Sequence, residues 1–284
     1  MFWQTSRFRI DLARPQVMGI INVTPDSFSD GGQNATTAAA LRHCEELLKE
    51  GADILDIGGE STRPGSPAVS CEEEMARVVP LVREATKLGV PVSVDTCKPE
   101  VMQAVLDLGA DIINDIAALS HGGAAGVVAR HPSCGVCLMH MHREPQTMQV
   151  APMEGDVIAP VRAFLAQASA RIQALGVNRD RIVLDPGVGF GKTVVQNFSL
   201  LARQDEFLTL GFPLLVGWSR KSSLGAVIAL RGQAPAPAER VTASVVAALL
   251  AVERGASIVR VHDVRATVQG LQVLQAVQTA SAEI

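Results

Sequence analysis

The sequence lacks an apolar run of the length that a membrane span requires. Its longest such run extends from Val241 to Val252 and is bounded by Arg240 and Glu253. A helix that crosses a bilayer needs about 20 residues. The first residues also lack a basic segment followed by an apolar one, so no signal peptide is expected. We therefore expect a protein without a membrane partner, in which residues 241–252 form a buried helix.

Positive charge is also scarce. The chain has 25 Lys and Arg against 29 Asp and Glu, which gives a formal net charge of −4. A nucleic-acid partner requires clustered positive charge, so this balance argues against nucleic acid, although a small phosphate ligand needs only a local basic cluster. With 48% hydrophobic and 19% charged residues, the chain has ample material for a buried core.

Cysteines are few and odd in number. They are Cys44, Cys71, Cys97, Cys134 and Cys137. This scatter predicts reduced thiols in a cytoplasmic protein. Cys137 and His140 stand near one another as in a zinc site, but their run has strand character, so neighbouring side chains should point to opposite faces. Zinc needs four converging ligands, and we expect core cysteines instead.

One pattern recurs along the chain: a short apolar run, then polar or Gly-rich residues, then a longer segment with helical periodicity. The apolar runs are typical of parallel strands covered on both faces. They are Val17–Val23, Ile54–Ile57, Val92–Asp95, Ile112–Asp115, Val136–Met139, Ile182–Asp185, Leu214–Gly217 and Ile258–His262. Eight such units predict the α/β class and a single (β/α)8 barrel domain over residues 1–284. An open doubly wound sheet is the alternative.

Helix candidates lie between these runs. Thr37–Glu50, Cys71–Leu88 and Glu100–Leu108 each end before a glycine, which suits a left-handed C-cap. Ser70, three residues before Glu73, fits a capping box at the start of the second helix. Residues 235–237 form a loop before a further predicted helix, at residues 239–253.

Polar residues gather at the carboxyl ends of the predicted strands, where barrels of this kind place their active sites. They are Asn22, Asp56, Asp95, Asn114, Asp115, His140, Asp185, Arg260 and His262. An isolated acid at a strand end is often a helix cap or an ion-pair partner, and we expect that role for Asp56 and Asp115. So many polar groups around one rim predict a ligand site.

Loops add further candidates to this rim. Residues 18–32 run from a strand into a long polar loop that contains Phe28, and residues 58–67 carry Arg63, whose guanidinium suits an anion. Residues 184–193 imitate a P-loop, but Pro186 stands where the pattern requires its first glycine. We expect an ordinary barrel loop there, presenting Asp185 and Phe190.

Two segments late in the chain predict an anion site. Residues 216–223 combine Arg220 and Lys221 with hydroxyls at a helix start, and strand alternation places Arg260 and His262 on one face of the last strand. In such barrels a phosphate group often lies beside the loops after strands seven and eight.

Seven motifs resemble those of the bacterial dihydropteroate synthases and occur in that family's order. They are NVTPDSFSDGG, GGESTRPG, SVDT, INDI, DPGVGFGK, SRKS and RVHD, and they span residues 18–264. The resemblance implies a transferase of folate biosynthesis that condenses 6-hydroxymethyl-7,8-dihydropterin diphosphate with 4-aminobenzoate and releases diphosphate. It also implies a sulfonamide target and a homodimer that associates through helices late in the chain.

The resemblance assigns roles to individual residues. The pterin would be bound by Asp95, Asn114, Met139, Asp185 and Lys221. The diphosphate would be bound by Thr62, Arg63, Arg260 and His262. The 4-aminobenzoate would be bound by Phe28, Thr62, Pro64, Phe190, Lys221 and Ser222. The catalytic residues would be Lys221, Asp95, Asp185 and Arg63. Magnesium would contact Asn22 and diphosphate oxygens.

These roles suggest a dissociative displacement. Magnesium, Arg63 and the two late basic residues would stabilise the departing diphosphate, and Asp95 and Asp185 would favour a pterin methylene cation. Exclusion of water by the loops would prevent its capture as an alcohol.

Three departures from the family pattern stand out. Cys97 replaces an expected Ser in a packed position, residues 141–144 differ from the usual sequence, and Trp218 is bulkier than expected. Trp218 raises the expectation of an altered pocket wall or dimer contact, and keeps open a sulfonamide-resistant synthase.

Two other functions compete with the synthase. A pterin-binding methyltransferase has no need of the diphosphate residues Arg63, Arg260 and His262. A catalytically silent partner barrel should have lost a residue such as Asn22 or Lys221. This sequence has the diphosphate residues and has kept Asn22 and Lys221, which favours the synthase over both alternatives.

Overall fold

The fold is seen in a computed structural model, which describes residues 1–23, 32–61 and 65–282. The strands in these ranges are β1 (Phe2–Gln4), β2 (Arg9–Asp11), β3 (Gln16–Asn22), β4 (Ile54–Gly58), β5 (Val92–Asp95), β6 (Ile112–Asp115), β7 (Gly135–Met139), β8 (Ile182–Asp185), β9 (Leu214–Val216) and β10 (Ala256–Val261). The α-helices are α1 (Gly32–Lys49), α2 (Cys71–Ala85), α3 (Pro99–Asp107), α4 (Ala124–Arg130), α5 (Ile158–Ala174), α6 (Val194–Ala202), α7 (Asp205–Leu208), α8 (Ser222–Val227), α9 (Val241–Glu253) and α10 (Val264–Ala282).

Within the described ranges, eight parallel strands close a barrel in the order β10-β3-β4-β5-β6-β7-β8-β9. Closure is explicit at β10, where Val259 pairs with Val17 on one side and with Val216 on the other. The predicted barrel is therefore confirmed and the open sheet is excluded. All eight predicted strands are present, with bounds that differ from the prediction by at most two residues.

Helix boundaries differ more from the prediction, because local turns at helix ends depend on packing. The predicted helix Cys71–Leu88 divides into α2 and a 3-10 turn at Thr86–Leu88, and a similar turn at Pro237–Arg240 precedes α9. The Ser70 hydroxyl accepts a hydrogen bond from the Glu73 amide at 3.1 Å, as the capping pattern predicts.

Helix α9 corrects one expectation, since only one of its faces is buried. Ser244, Ala247, Ala248 and Ala251 face the protein interior, whereas Val246 is 51% exposed. The helix belongs to the outer ring, so it contacts the barrel along a single stripe. None of the helices in the described ranges has the length and apolarity needed to cross a bilayer.

The N-terminal hairpin of β1 and β2 was not predicted, because strands of three residues give almost no periodic signal. Trp3 pairs with Ile10 across the hairpin and is fully buried. The two side chains close the amino-terminal end of the barrel interior over residues of seven barrel strands, which are Met18, Ile54, Ile112, Cys137, Val183, Leu215 and Ile258. The Trp3 indole nitrogen donates to the Arg181 carbonyl at 2.9 Å.

Trp3→Ala should lower the free energy of unfolding by about 3–5 kcal/mol, because it leaves a cavity at the barrel end. Urea denaturation would measure this loss. Phe2→Ala at the neighbouring exposed position is the matched control and should cost less than about 1 kcal/mol. Equal effects of the two variants would contradict the closing role of Trp3.

Trp218 lies between the barrel and the helices. It is 2% exposed, and its ring centroid is 5.3 Å from that of Phe198 in α6. A side chain buried in that layer does not reach the surface, so the structure does not support a direct dimer contact of Trp218. An altered pocket wall stays a prediction.

Candidate active site

Three charged side chains meet at the carboxyl end of the barrel. The Arg260 guanidinium, at the end of β10, donates from Nε to Asp56 at 2.6 Å and from Nη2 to Asp95 at 2.8 Å. Asp56 also accepts from the Ser93 hydroxyl at 2.5 Å and from the Asn114 amide at 3.3 Å. We call these five residues the carboxylate–arginine cluster. Its contacts agree with the expected supporting role of Asp56.

Burial controls the charges of this cluster. Burial, with a smaller contribution from the Asp56 carboxylate, raises the pKa of Asp95 to about 7 against the opposing effect of Arg260. Burial also lowers the pKa of Arg260, but the adjacent Asp56 and Asp95 carboxylates outweigh it, so this pKa is raised overall. The guanidinium therefore stays charged while Asp95 is poised to gain or lose a proton near neutrality.

A stability measurement tests the raised pKa of Asp95. The folded protein holds this proton up to about pH 7, whereas the ordinary carboxyl pKa is 3.8. Stability from this group is therefore complete below pH 4 and is lost as the pH rises through 7. The asparagine in Asp95→Asn cannot ionise. The unfolding free energy of this variant minus that of the wild type should therefore increase by about 2–4 kcal/mol between pH 4 and pH 8.

Urea unfolding at several pH values would measure this increase. Asp107→Asn, the same substitution at an exposed position in α3, is the matched control. A constant difference between Asp95→Asn and the wild type would contradict a raised pKa for Asp95.

Asp185, at the end of β8, is the second buried acid on this rim. Its Oδ1 accepts from the Gly187 amide at 2.7 Å. Burial raises the pKa of Asp185 to about 6, whereas that amide and two lysines, Lys221 and Lys192, oppose the rise. Gly187 has φ 72°, and a Cβ atom there would lie 1.8 Å from the His140 carbonyl oxygen, so this turn requires glycine.

Phe190 and Lys221 lie against each other beside Asp185. The Lys221 ammonium is 4.3 Å from the centre of the Phe190 ring. Burial lowers the pKa of Lys221 to about 8, although Asp185 opposes the decrease. Phe190 packs in an apolar cluster with Ile116, Met139 and Met148. The structure thus brings together predicted residues from strands β7 and β8 and from the start of α8, where Ser222 follows Lys221.

The two cations predicted for the anion site at residues 216–223 have different surroundings in the structure. Arg220 adopts φ 59° and forms a two-point ion pair with Asp263, at 2.6 and 3.0 Å. Only Lys221 of this pair faces Phe190. His262 follows β10, and its Nδ1 lies 2.9 Å from the Ser219 hydroxyl.

The remaining predicted site residues divide into two groups. Asn22 is half-buried at the end of β3, beside Gly58 of β4. Phe28, Thr62, Arg63 and Pro64 lie outside the described residues. Across the described ranges, no group of three or more His, Cys, Asp or Glu converges as metal ligands.

Asp115 has the structural role that was expected of it. Its two carboxylate oxygens accept from the Ala117 and Leu119 amides, each at 2.7 Å. These bonds stabilise a turn in which Ala118 and Leu119 both have positive φ. Cys97 packs half-buried beside the apolar cluster of Phe190, which agrees with a conservative change from Ser. Nothing in the structure explains the departure at residues 141–144.

Sequence reasoning missed Lys192, which entered only as part of a false P-loop match. The structure buries this lysine beneath the loop that carries Phe190, in contact with His140. The lysine in an irregular Gly-rich run offers no sequence signal of burial, since lysines are mostly exposed.

The chain is similar to known proteins over nearly its whole length. A family profile described as "Pterin binding enzyme" matches residues 18–262. The dihydropteroate synthase of Neisseria meningitidis serogroup B is 53% identical in an alignment of 281 positions that covers 96% of each chain. The Burkholderia cenocepacia dihydropteroate synthase complexed with 7,8-dihydropteroate superposes with a TM-score of 0.89 at 49% identity, covering 100% of this chain and 98% of that one.

A third relative is the Yersinia pestis dihydropteroate synthase in a sulfonamide drug complex. It superposes with a TM-score of 0.91 at 42% identity, over 98% of this chain and all of the other. Since the similarity covers nearly the whole length at such identities, this chain belongs to the dihydropteroate synthase family of pterin-binding enzymes.

Proposed function

We propose that this enzyme condenses 6-hydroxymethyl-7,8-dihydropterin diphosphate with 4-aminobenzoate, giving 7,8-dihydropteroate and diphosphate. One observation carries the proposal. In a chain of this family, Asp185, Lys221 and Phe190 lie together at the barrel end that also holds the carboxylate–arginine cluster. The Burkholderia relative is complexed with 7,8-dihydropteroate, the product of this reaction.

The pterin ring is assigned to the buried polar floor. Asp95, Asn114 and Asp185 present carboxylate and amide groups at three strand ends, and a pterin edge offers both donors and acceptors to them. Filling this floor with a ring of matching polarity avoids the cost of unpaired buried groups. Met139 and Lys221 complete the set, one apolar and one cationic.

The 4-aminobenzoate ring is assigned to the outer side of Lys221. Phe190 supplies an aromatic surface there, and Ser222 is exposed at the first position of α8. Phe28, Thr62 and Pro64 would complete this subsite. A sulfonamide resembles 4-aminobenzoate in its aniline half, so we propose that sulfonamides occupy the same place.

The reaction breaks the bond between the pterin methylene carbon and the diphosphate oxygen and forms a carbon–nitrogen bond to the aniline amine. We assign Asp95 and Asp185 to the positive charge that develops on the pterin methylene group. His262 and Arg260, with Thr62 and Arg63, would bind the departing diphosphate. The amine is neutral at pH 7, and it releases its proton after attack, so the step needs no strong general base.

Magnesium is proposed as the cofactor. Asn22 offers a single amide oxygen at the rim, and the described residues contain no cage of acidic ligands. This donor set fits an ion held mainly by substrate oxygens and water. When bound, it would supply charge neutralisation to the diphosphate.

A cytoplasmic homodimer is also proposed. The five cysteines are all unpaired, as in reducing compartments. The outer helices α9 and α10 expose Val246, Val273 and Val277. Exposed valines on neighbouring helices late in the chain are consistent with a subunit contact there.

Diphosphate release from the pterin substrate, with and without 4-aminobenzoate in magnesium buffer, tests the function. We expect release that depends on 4-aminobenzoate and that falls by about 10²-fold or more in Lys221→Ala, because this cation lies between both assigned rings. Release independent of 4-aminobenzoate would contradict the proposal. Pterin binding without any release would instead indicate the methyltransferase alternative.

A further inference from the structure

Lys192 is buried without a carboxylate partner in the described part of the chain. Its side chain is 2% exposed, and its ammonium makes three hydrogen bonds: to the Gly187 carbonyl at 2.8 Å, the Phe190 carbonyl at 3.1 Å and His140 Nδ1 at 3.0 Å. Burial lowers the pKa of Lys192 to about 7. A buried lysine normally pairs with an acid. The free-energy cost of burying the Lys192 ammonium without one therefore needs another explanation.

Two of its bonds hold the turn at residues 187–190. The Gly187 carbonyl accepts both from Lys192 and from the Phe190 amide, the latter at 3.2 Å. The Gly187 amide in turn donates to Asp185, and the Phe190 ring lies beneath Lys221. Lys192 therefore contacts the backbone carbonyls of Gly187 and Phe190. Gly187 orients Asp185, an assigned pterin ligand, and Phe190 is an assigned aminobenzoate ligand.

The third bond ties this turn to strand β7. His140 follows Met139 at the strand end, and its ring packs edge-on against Phe164, with centroids 5.0 Å apart. Burial and, to a smaller extent, Lys192 lower the pKa of His140 to about 3. The neutral ring can therefore accept a proton donor at Nδ1. All three ammonium donors have an acceptor.

We infer that Lys192 is a positioning residue for the reaction. It fixes the 187–190 turn to the end of β7 and so sets the orientation of the Asp185 carboxylate and the Phe190 ring. Because it is 2% exposed, we assign it no substrate contact. This inference rests on the proposed function for its kinetic consequence, but the fixing of the turn can be measured in the ligand-free protein.

Lys192→Met removes the three donors and keeps a long side chain. Hydrogen exchange of the ligand-free protein should show amides of residues 187–190 exchanging at least about tenfold faster, with the β7 and β8 amides unchanged. Lys87→Met, at an exposed lysine paired with Glu84, is the matched control and should change neither. Unchanged exchange at residues 187–190 would overturn the inference, whether or not the enzyme turns over.

Kinetics separates positioning from a merely structural role. We expect kcat/KM of folded Lys192→Met for the pterin diphosphate to fall about 10²-fold, since small misplacements have effects of that size. A structural role would lower stability and leave kcat/KM of the folded protein within about twofold, and that result would overturn the inference. Failure of the proposed function would differ, because the wild type itself would form no dihydropteroate.

A second pair of variants covers the case in which Lys192→Met does not fold. His140→Gln retains an acceptor for Lys192, whereas His140→Leu removes it. We expect kcat/KM to be at least about fivefold lower in the Leu variant than in the Gln variant, with faster exchange at residues 187–190 in the Leu variant alone. Equal kinetics and equal exchange in the two variants would overturn the inference.

Discussion

Asp185→Asn should lower kcat/KM for the pterin diphosphate by about 10²- to 10³-fold, the range found when one preorganised electrostatic group is removed. The substitution preserves size but removes the negative charge that we assign to the developing pterin cation. It also leaves Lys221 and Lys192 without the acid whose charge acts on both. Steady-state diphosphate release would measure the loss.

The kinetic loss in Asp185→Asn reports on catalysis only if this variant is folded. Asp180→Asn, in the exposed turn before β8, is the matched control and should keep wild-type kinetics. A cooperative urea transition for Asp185→Asn would show that the barrel is intact. Turnover within about threefold of the wild type in such a protein would remove Asp185 from the electrostatic account.

Arg260→Met should reduce the free energy of unfolding by about 3–5 kcal/mol, the usual effect of removing one partner from a buried ion pair. Asp56 and Asp95 both lose their cation, and they lie in adjacent strands at the same buried rim. Repulsion between the two acids should raise the pKa of Asp95 further. We therefore expect stability to fall most above pH 7, where Asp95 loses its proton beside Asp56.

Two comparisons make the Arg260 prediction specific. Arg260→Lys should recover only part of the loss, because one ammonium does not reproduce the fork that contacts both acids. Arg265→Met, at an exposed position in α10, should change stability by less than about 0.5 kcal/mol. If Arg260→Met were as stable as the wild type, the cluster would contribute nothing to the fold.

The sequence predicted the barrel strands well for a local reason. A parallel strand covered on both faces is a short apolar run, and its carboxyl end is marked by the polar residue that follows or closes it. Asp95, Asn114 and Asp185 were placed correctly at strand ends on this basis. The hairpin of β1 and β2 escaped because its strands are stabilised by Trp3 against the barrel, a contact far away in sequence.

The candidate site also combines features that local sequence patterns predict with features that depend on distant contacts. Arg220 and Lys221 are neighbours in one motif, and the sequence offered no means of separating them. Positive φ at Arg220 directs its side chain to Asp263, which leaves Lys221 to face Phe190. Lys192 likewise looked like part of a loop motif, and only its burial beside His140 shows what it holds.

The sequence by itself determined the positions of the barrel strands, the rim of polar residues and the family, since these depend on local periodicity and on motifs read along the chain. Only the tertiary structure decided which charges pair. Arg260 contacts Asp56, 204 residues away, and Asp95, 165 residues away. Closure of the barrel brings β10 to the same rim as β4 and β5. Because these groups are buried in a low local dielectric, each pairing depends on tertiary geometry that no local sequence pattern contains.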